Sequence, residues 1–214
     1  METCFCANPR RRRRDLDAMD PHRRAQHAED ELLVLDAQRG DRAALSALVD
    51  RWHRPMTRLA RHLSGNDDAA KDVVQDAWID VVRGLRRLDD PARFPGWAMQ
   101  IVRRRCADRV RRSTRQRAGA RSLAEHERRR VAAAEDRAAD TASGIREALR
   151  SLSPEDRIAL TLRYLDGLTV YQVAEALDVP VGTSKSRLFA ARGRLRAALE
   201  SAPLSKGPHC EIAR

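Results

Sequence analysis

The sequence predicts an all-α protein: two small helical domains, an N-terminal helical bundle and a C-terminal helix-turn-helix, joined by a flexible linker. Three observations carry this. Apolar residues recur at three- and four-residue steps along most of the chain, the spacing of one helix face. Of 214 residues, 42% are hydrophobic but only 4% aromatic; this supplies Leu, Val and Ala for helical cores and little of what a β-sandwich needs. The periodicity lapses between residues 113 and 143, where large apolar side chains almost vanish, and then resumes.

Other features narrow the class. No run of about 18 apolar residues exists, which excludes a membrane-spanning helix. The opening residues lack the apolar centre of a signal peptide, so a cytoplasmic protein is expected. Four cysteines (Cys4, Cys6, Cys106 and Cys210) are too few and too scattered for a disulfide framework or a four-ligand zinc site. No Gly-rich phosphate loop, paired catalytic carboxylates or Ser/His/Asp set stands in a supporting context, so no catalytic residue, metal or cofactor is expected. The net charge of +11 suggests a polyanionic partner, nucleic acid above all. Lysine occurs only at Lys71, Lys185 and Lys206. Such an arginine bias also follows from GC-rich codon usage, so charge alone leaves the partner open.

The elements follow in order. Residues 1–28 form an arginine-rich head without periodicity, expected to be disordered. From Asp41, the residues Leu45, Leu48, Val49, Trp52, Met56, Leu59, Ala60 and Leu63 line one helix face. Pro55 should kink that helix, Gly65 suits its end, and Asn66 or Asp67 suits the next N-cap. A second stripe is Val73, Val74, Ala77, Trp78, Val81, Val82 and Leu85. After the Asp89–Pro95 loop, a third helix is expected from about Gly96 to Arg112. These three make up a domain over 29–112, followed by a linker over 113–143. In the second domain, 144–200, Ser153-Pro154-Glu155-Asp156 reads as a helix start. Gly167 reads as a C-cap, and Thr169 with Gln172 as a capping box. A loose tail covers 201–214.

The sharpest local signal is the helix 170–177, a tight turn, and a second helix over about 181–200: a helix-turn-helix. Its second helix opens Gly182-Thr183-Ser184-Lys185-Ser186-Arg187. Small residues there admit phosphates to backbone N–H groups, and the longer cations reach base edges. A plain helical hairpin with a solvated start is the alternative. In the second stripe's helix, Asp72, Gln75, Asp76 and Asp80 form an acidic strip that suits a protein partner or water, not phosphate. On the third helix, Gln100, Arg103, Arg104, Ala107 and Arg111 share one arc, with Trp97 at its border. Three guanidinium groups there can hold a DNA backbone. The indole can stack on an unpaired base or simply pack in the core. Arg105 and Arg109 project into the apolar arc and must snorkel or pair with carboxylates.

The segment LDGLTVYQVAEALDVPVGTSKSRLFAARGRLR resembles the promoter −35-reading region of extracytoplasmic-function (ECF) sigma factors of the sigma-70 superfamily. DDAAKDVVQDAW resembles the helix with which sigma factors grip the β′ clamp of RNA polymerase. FPGWAMQIVRRRCADRVRR resembles the segment that melts and reads the −10 element. The likeness spans about residues 41–112 and 144–200. It implies a sigma factor that lends RNA polymerase promoter specificity, with the β′ clamp, the β flap, promoter DNA and an anti-sigma factor as partners. By the same resemblance, Asp72, Gln75, Asp76 and Asp80 contact core polymerase. Trp97, Gln100, Arg103, Arg104, Asp108 and Arg111 contact the −10 element, and Thr183, Lys185, Ser186, Arg187, Phe189 and Arg192 the −35 element. Two positions depart from the family pattern. Arg104 stands where Asn is usual and Ala190 where Arg is common, which bears on which bases are preferred. A free-standing repressor or activator remains a rival reading, although no dimer seam is evident, and so does a nucleic-acid enzyme.

Overall fold

A computed structural model describes residues 19–119 and 147–201. Most of the expected disordered head, the linker beyond 119 and the tail beyond 201 lie outside the described residues. The helices are α1 (Pro21–Gln38), α2 (Arg42–Ser64), α3 (Asp67–Gly84), α4 (Phe94–Gly119), α5 (Pro154–Leu160), α6 (Val170–Leu177) and α7 (Val181–Ser201), with a further helical stretch over 147–150. Two short 3₁₀ turns, Leu85–Arg87 and Pro91–Arg93, join α3 to α4.

Helix α1 corrects the sequence expectation, because it begins inside the segment read as a disordered head. Asp20 caps it by accepting from the Arg23 N–H at 3.2 Å, and Pro21 takes the first helical position, where a missing N–H costs nothing. Val34 is fully buried, and His27 and Asp30 are buried beside it. The Asp-Pro cap was visible in the sequence. The burial was not, since α1 is mostly polar and draws its stability from what it touches.

Helix α2 runs unbroken through Pro55. The lost backbone bond is offset by tertiary burial of Trp52, Met56, Leu59 and Ala60 around it. Gly65 ends the helix in the left-handed region at φ 66°, and Asn66 caps α3 by accepting from the N–H groups of Asp68 and Ala69. The first core joins Leu48 and Trp52 of α2, Val74 and Val81 of α3, and Phe94, Met99 and Val102 of α4. The Trp52 and Phe94 rings meet edge-to-face at 6.4 Å. The stripe read for α3 is only partly inward. Val73, Val74, Ala77, Val81 and Leu85 are buried, whereas Trp78 is half-buried and Val82 exposed. Helix α4 starts at Phe94 and passes Arg112 to reach Gly119, inside the expected linker.

In the second domain Ser153 caps α5, which widens into an i→i+5 turn over Thr161–Leu165 closed by the Asp166 N–H on the Thr161 carbonyl at 3.0 Å. Gly167 adopts φ 76° and reverses the chain. Thr169 and Gln172 form the reciprocal capping box, at 3.2 and 2.8 Å. Helix α7 packs on α5 and α6, and α6 packs on α4, so the two cores merge into one apolar cluster.

The capping box lies almost wholly out of water, with Thr169 2% exposed. Thr169→Ala should therefore cost about 1–2 kcal/mol, read as a lowered thermal midpoint with unchanged helical content before the transition.

Candidate protein- and DNA-binding surfaces

Three surfaces carry the residues singled out above. The first is an open groove of about 850 Å³ between α2 and α3. Val49 and Thr57 on α2 and Trp78, Ile79 and Val82 on α3 make its apolar floor and walls; Ile79 is 43% and Val82 49% exposed. The Trp78 Nε1–H is buried without a hydrogen-bond partner among the described residues. His53, Arg61, Lys71, Gln75 and Arg83 line the rest of the groove.

The acidic strip divides. Gln75 and Asp76 are exposed beside the groove. Asp80 takes the Arg105 guanidinium in a two-pronged pair, and Asp72 accepts from Arg109 at 3.1 Å. Those two arginines were the misfits of the α4 wheel, and pairing with carboxylates is how α4 accommodates them. Asp72 and Asp80 thus face α4 as much as they face a partner. Sequence reasoning missed Trp78 and Val82 as surface residues, since helical period placed them in the apolar stripe, and it did not single out Ile79.

The second surface is the polar face of α4. Trp97 is half-buried, with its ring 6.2 Å from that of Phe94 and packed on Gly84, where a Cβ would stand 2.9 Å from Trp97 Cζ2. Arg104 is exposed, and Arg111 pairs with Asp108 one turn back, at 2.5 Å. That pairing holds the Asp108 carboxyl below its ordinary range. Gln100 and Arg103 point toward Asp178 at the end of α6, at 3.2 and 3.4 Å. Cys106 lies in the apolar stripe, and burial pushes its thiol up to about 11, which leaves it an inert core residue.

The third surface is the start of α7. Thr183, Lys185, Ser186 and Arg192 are exposed, Arg187 is half-buried, and Phe189 is 73% exposed with the Arg192 guanidinium 6.0 Å from its ring centre. Ser184 and Leu188, on the opposite side, are buried, and Ser184 donates to the Val170 carbonyl at 3.3 Å. Among the described residues no carboxylate pairs with Lys185 or Arg187, so the tip keeps its positive charge. Farther along, Arg194 and Arg196 are bound to Asp156 and Glu200.

The two family models that match this chain are Sigma-70 region 2, over residues 48–116, and Sigma-70, region 4, over residues 143–195. The chain is similar to the ECF RNA polymerase sigma factor SigM of Mycobacterium tuberculosis, 34% identical over 80% of this chain and 85% of that protein. It is similar also to the ECF RNA polymerase sigma-E factor of Escherichia coli K12, 31% identical over 76% and 90%. Its fold resembles that of CnrH, solved with the cytosolic domain of CnrY (24% identity, TM-score 0.53, covering 81% of this chain and 99% of that one). It also resembles that of RpoE from Bartonella quintana, solved with the anti-sigma factor NepR (22% identity, TM-score 0.56, covering 76% and 99%).

One titration follows from the geometry. The Asp166 side chain is 2% exposed and paired with Arg58. Burial outweighs that guanidinium and raises its carboxyl from 3.8 to about 6. The folded chain then holds a proton that the unfolded chain has released, so this group's stabilisation is full below 3.8 and is lost as pH rises through about 6. Asp166→Asn should flatten the dependence of urea-unfolding stability on pH between about 4 and 7 relative to the parent chain.

Proposed function

The chain belongs to the ECF group of sigma-70 RNA polymerase sigma factors, and from that premise we propose how its surfaces divide the work. It confers promoter specificity on bacterial RNA polymerase and directs transcription initiation by binding core enzyme and promoter DNA. Residues 29–112 act as region 2 and 144–200 as region 4. The α2–α3 groove receives an amphipathic helix of the β′ clamp: Ile79, Val82 and Trp78 supply apolar contact, while Gln75 and Asp76, with Asp72 and Asp80 behind them, fix its register. The α4 face captures the melted −10 strand through Gln100, Arg103, Arg104 and Arg111, with Asp108 holding Arg111. Trp97 stacks on a base released from the duplex, which helps offset about 1–2 kcal/mol of stacking lost per opened step. The α7 tip enters the −35 major groove with Lys185, Arg187 and Arg192, guided by Thr183, Ser186 and Phe189.

Region 4 rests on the β flap, and the linker passes toward the RNA exit path. The work needs no catalytic residue, metal or cofactor, and takes place in the cytoplasm where the polymerase is. An anti-sigma protein is the proposed inhibitor, masking one or both domains. The observation that carries this reading is the separation of chemistries: an apolar groove for a protein host on α2 and α3, and an uncompensated cationic tip for DNA on α7.

Run-off transcription from a promoter library with core polymerase tests the assignment as a whole. Core without the chain should give no promoter-specific transcripts; protection of a palindromic site by the chain alone, with no gain by core, would favour the repressor reading. Within that assay Arg187→Ala should lower −35-dependent initiation about tenfold or more and leave core affinity unchanged. Asp76→Arg should weaken core binding about tenfold, measured by pull-down, and leave the −35 contact intact.

A further inference from the structure

Trp97 borders the α4 face that the preceding reading gives to the −10 strand, and Phe94 and Gly84 bound its ring. Phe94 lies with ring centres 6.2 Å apart and planes inclined at 51°. It is itself fully buried and held edge-to-face by Trp52. Gly84 is the last residue of α3. A Cβ there would stand 2.9 Å from Trp97 Cζ2 and 3.2 Å from Cη2, inside the ~3.5–4.0 Å of ordinary carbon contact. The benzo edge of the indole therefore rests on bare backbone.

Nothing in the backbone asks for glycine at this position. Gly84 has φ −90° and ψ −19°, a right-handed conformation open to any L residue. The chain does not reverse here: the Leu85 N–H bonds to the Val81 carbonyl and carries the helix into the turn Leu85–Arg87. Alanine is also the better helix former. The backbone has no room to retreat from a larger residue. Val81 is fully buried and Leu85 is 4% exposed, and Gln38 holds the carbonyls of Leu85 and Leu88 at 2.9 and 2.8 Å. A methyl group at Gly84 must therefore displace the ring.

We propose that Gly84 is a positioning residue for Trp97: by carrying no side chain it seats the indole on the end of α3, and that seat sets the plane on which a base released from the −10 duplex stacks. The inference rests on the assignment of Trp97 to base stacking. Stacking needs two flat faces in contact, and a side chain supplies one only when packing holds its geometry to within about 0.5 Å. Phe94 and Gly84 give Trp97 that support. The glycine is needed for space and not for conformation. Val82 and Arg83, the two residues before it, line the α2–α3 groove. The end of α3 thus carries both the rim of the protein-binding groove and the seat of the stacking ring.

The test uses holoenzyme assembled from core polymerase and the full-length chain on a promoter recovered from the run-off library. Opening is read by permanganate oxidation of unpaired thymines. Gly84→Ala should slow opening about fivefold through poorer stacking. Trp97→Phe, whose shorter ring lacks the atoms a methyl would meet, should slow it about threefold. The double variant Gly84→Ala/Trp97→Phe should match Trp97→Phe alone, because the methyl acts only through the outer ring of the indole. Independent effects would multiply to about fifteenfold, and that result overturns the proposal, as does parental opening in Gly84→Ala. Core affinity and protection of the −35 element should keep their parental values throughout. In the isotope-labelled free chain, Gly84→Ala should shift the indole N–H resonance that Trp97→Phe removes; an unmoved signal overturns the proposal. Should Gly84→Ala lose its helical circular dichroism, Trp97→Phe against the double variant decides alone, equal opening supporting the proposal and further loss overturning it. Parental opening in Trp97→Ala would instead overturn the stacking assignment on which the proposal rests.

Discussion

The structure turns on one helix having to satisfy two environments. Along α4, Ala98, Ile101, Val102 and Cys106 are buried, while Arg104, Arg109, Arg111 and Arg112 reach solvent on the same cylinder. So many guanidinium groups beside an apolar stripe leave some at its margin, where neither water nor hydrocarbon suits them. Asp80 of α3 resolves that conflict by taking Arg105, and Asp72 pairs with the more exposed Arg109 one turn on. Two members of the α3 acidic strip, Asp72 and Asp80, thus serve α4 as well as the surface.

That allocation leaves the α2–α3 groove largely apolar. With Asp72 and Asp80 of the four-residue strip engaged by α4, α3 leaves Ile79, Val82 and the half-buried Trp78 along the groove. Apolar burial does not weaken as salt rises, whereas phosphate contacts do, steeply. A factor that must stay on its polymerase while sampling DNA benefits from keeping the two kinds of contact on different surfaces. The α7 tip follows the same logic in reverse: Ser184 and Leu188 turn inward, and among the described residues no carboxylate pairs with Lys185, Arg187 or Arg192.

The contact between the domains is built from polar pairs around one close backbone approach at Gly96. Most of its charged members keep some solvent exposure. The exception is Asp166, whose burial costs more than Arg58 returns. Such a pair contributes orientation more than stability. These polar pairs flank an apolar contact that joins the two cores into one cluster, which includes the buried Leu48, Phe94, Leu162 and Val173.

The helices, their caps and the two-domain division were legible in the sequence because each is a short-range property. Gly65, Asn66, Ser153, Thr169 and Gln172 act within a few residues of themselves, and the apolar period of α2 and α7 is read one turn at a time. What the tertiary structure alone decided depends on residues far apart in the chain. It showed that α1 is held in place by burial, that Trp78 and Val82 border a groove, that Asp72 and Asp80 answer to α4, and that α6 covers the face bearing Gln100 and Arg103. Periodicity tells which side of a helix avoids water, but not which partner supplies the cover. That is fixed only when the whole chain competes for the same apolar surface.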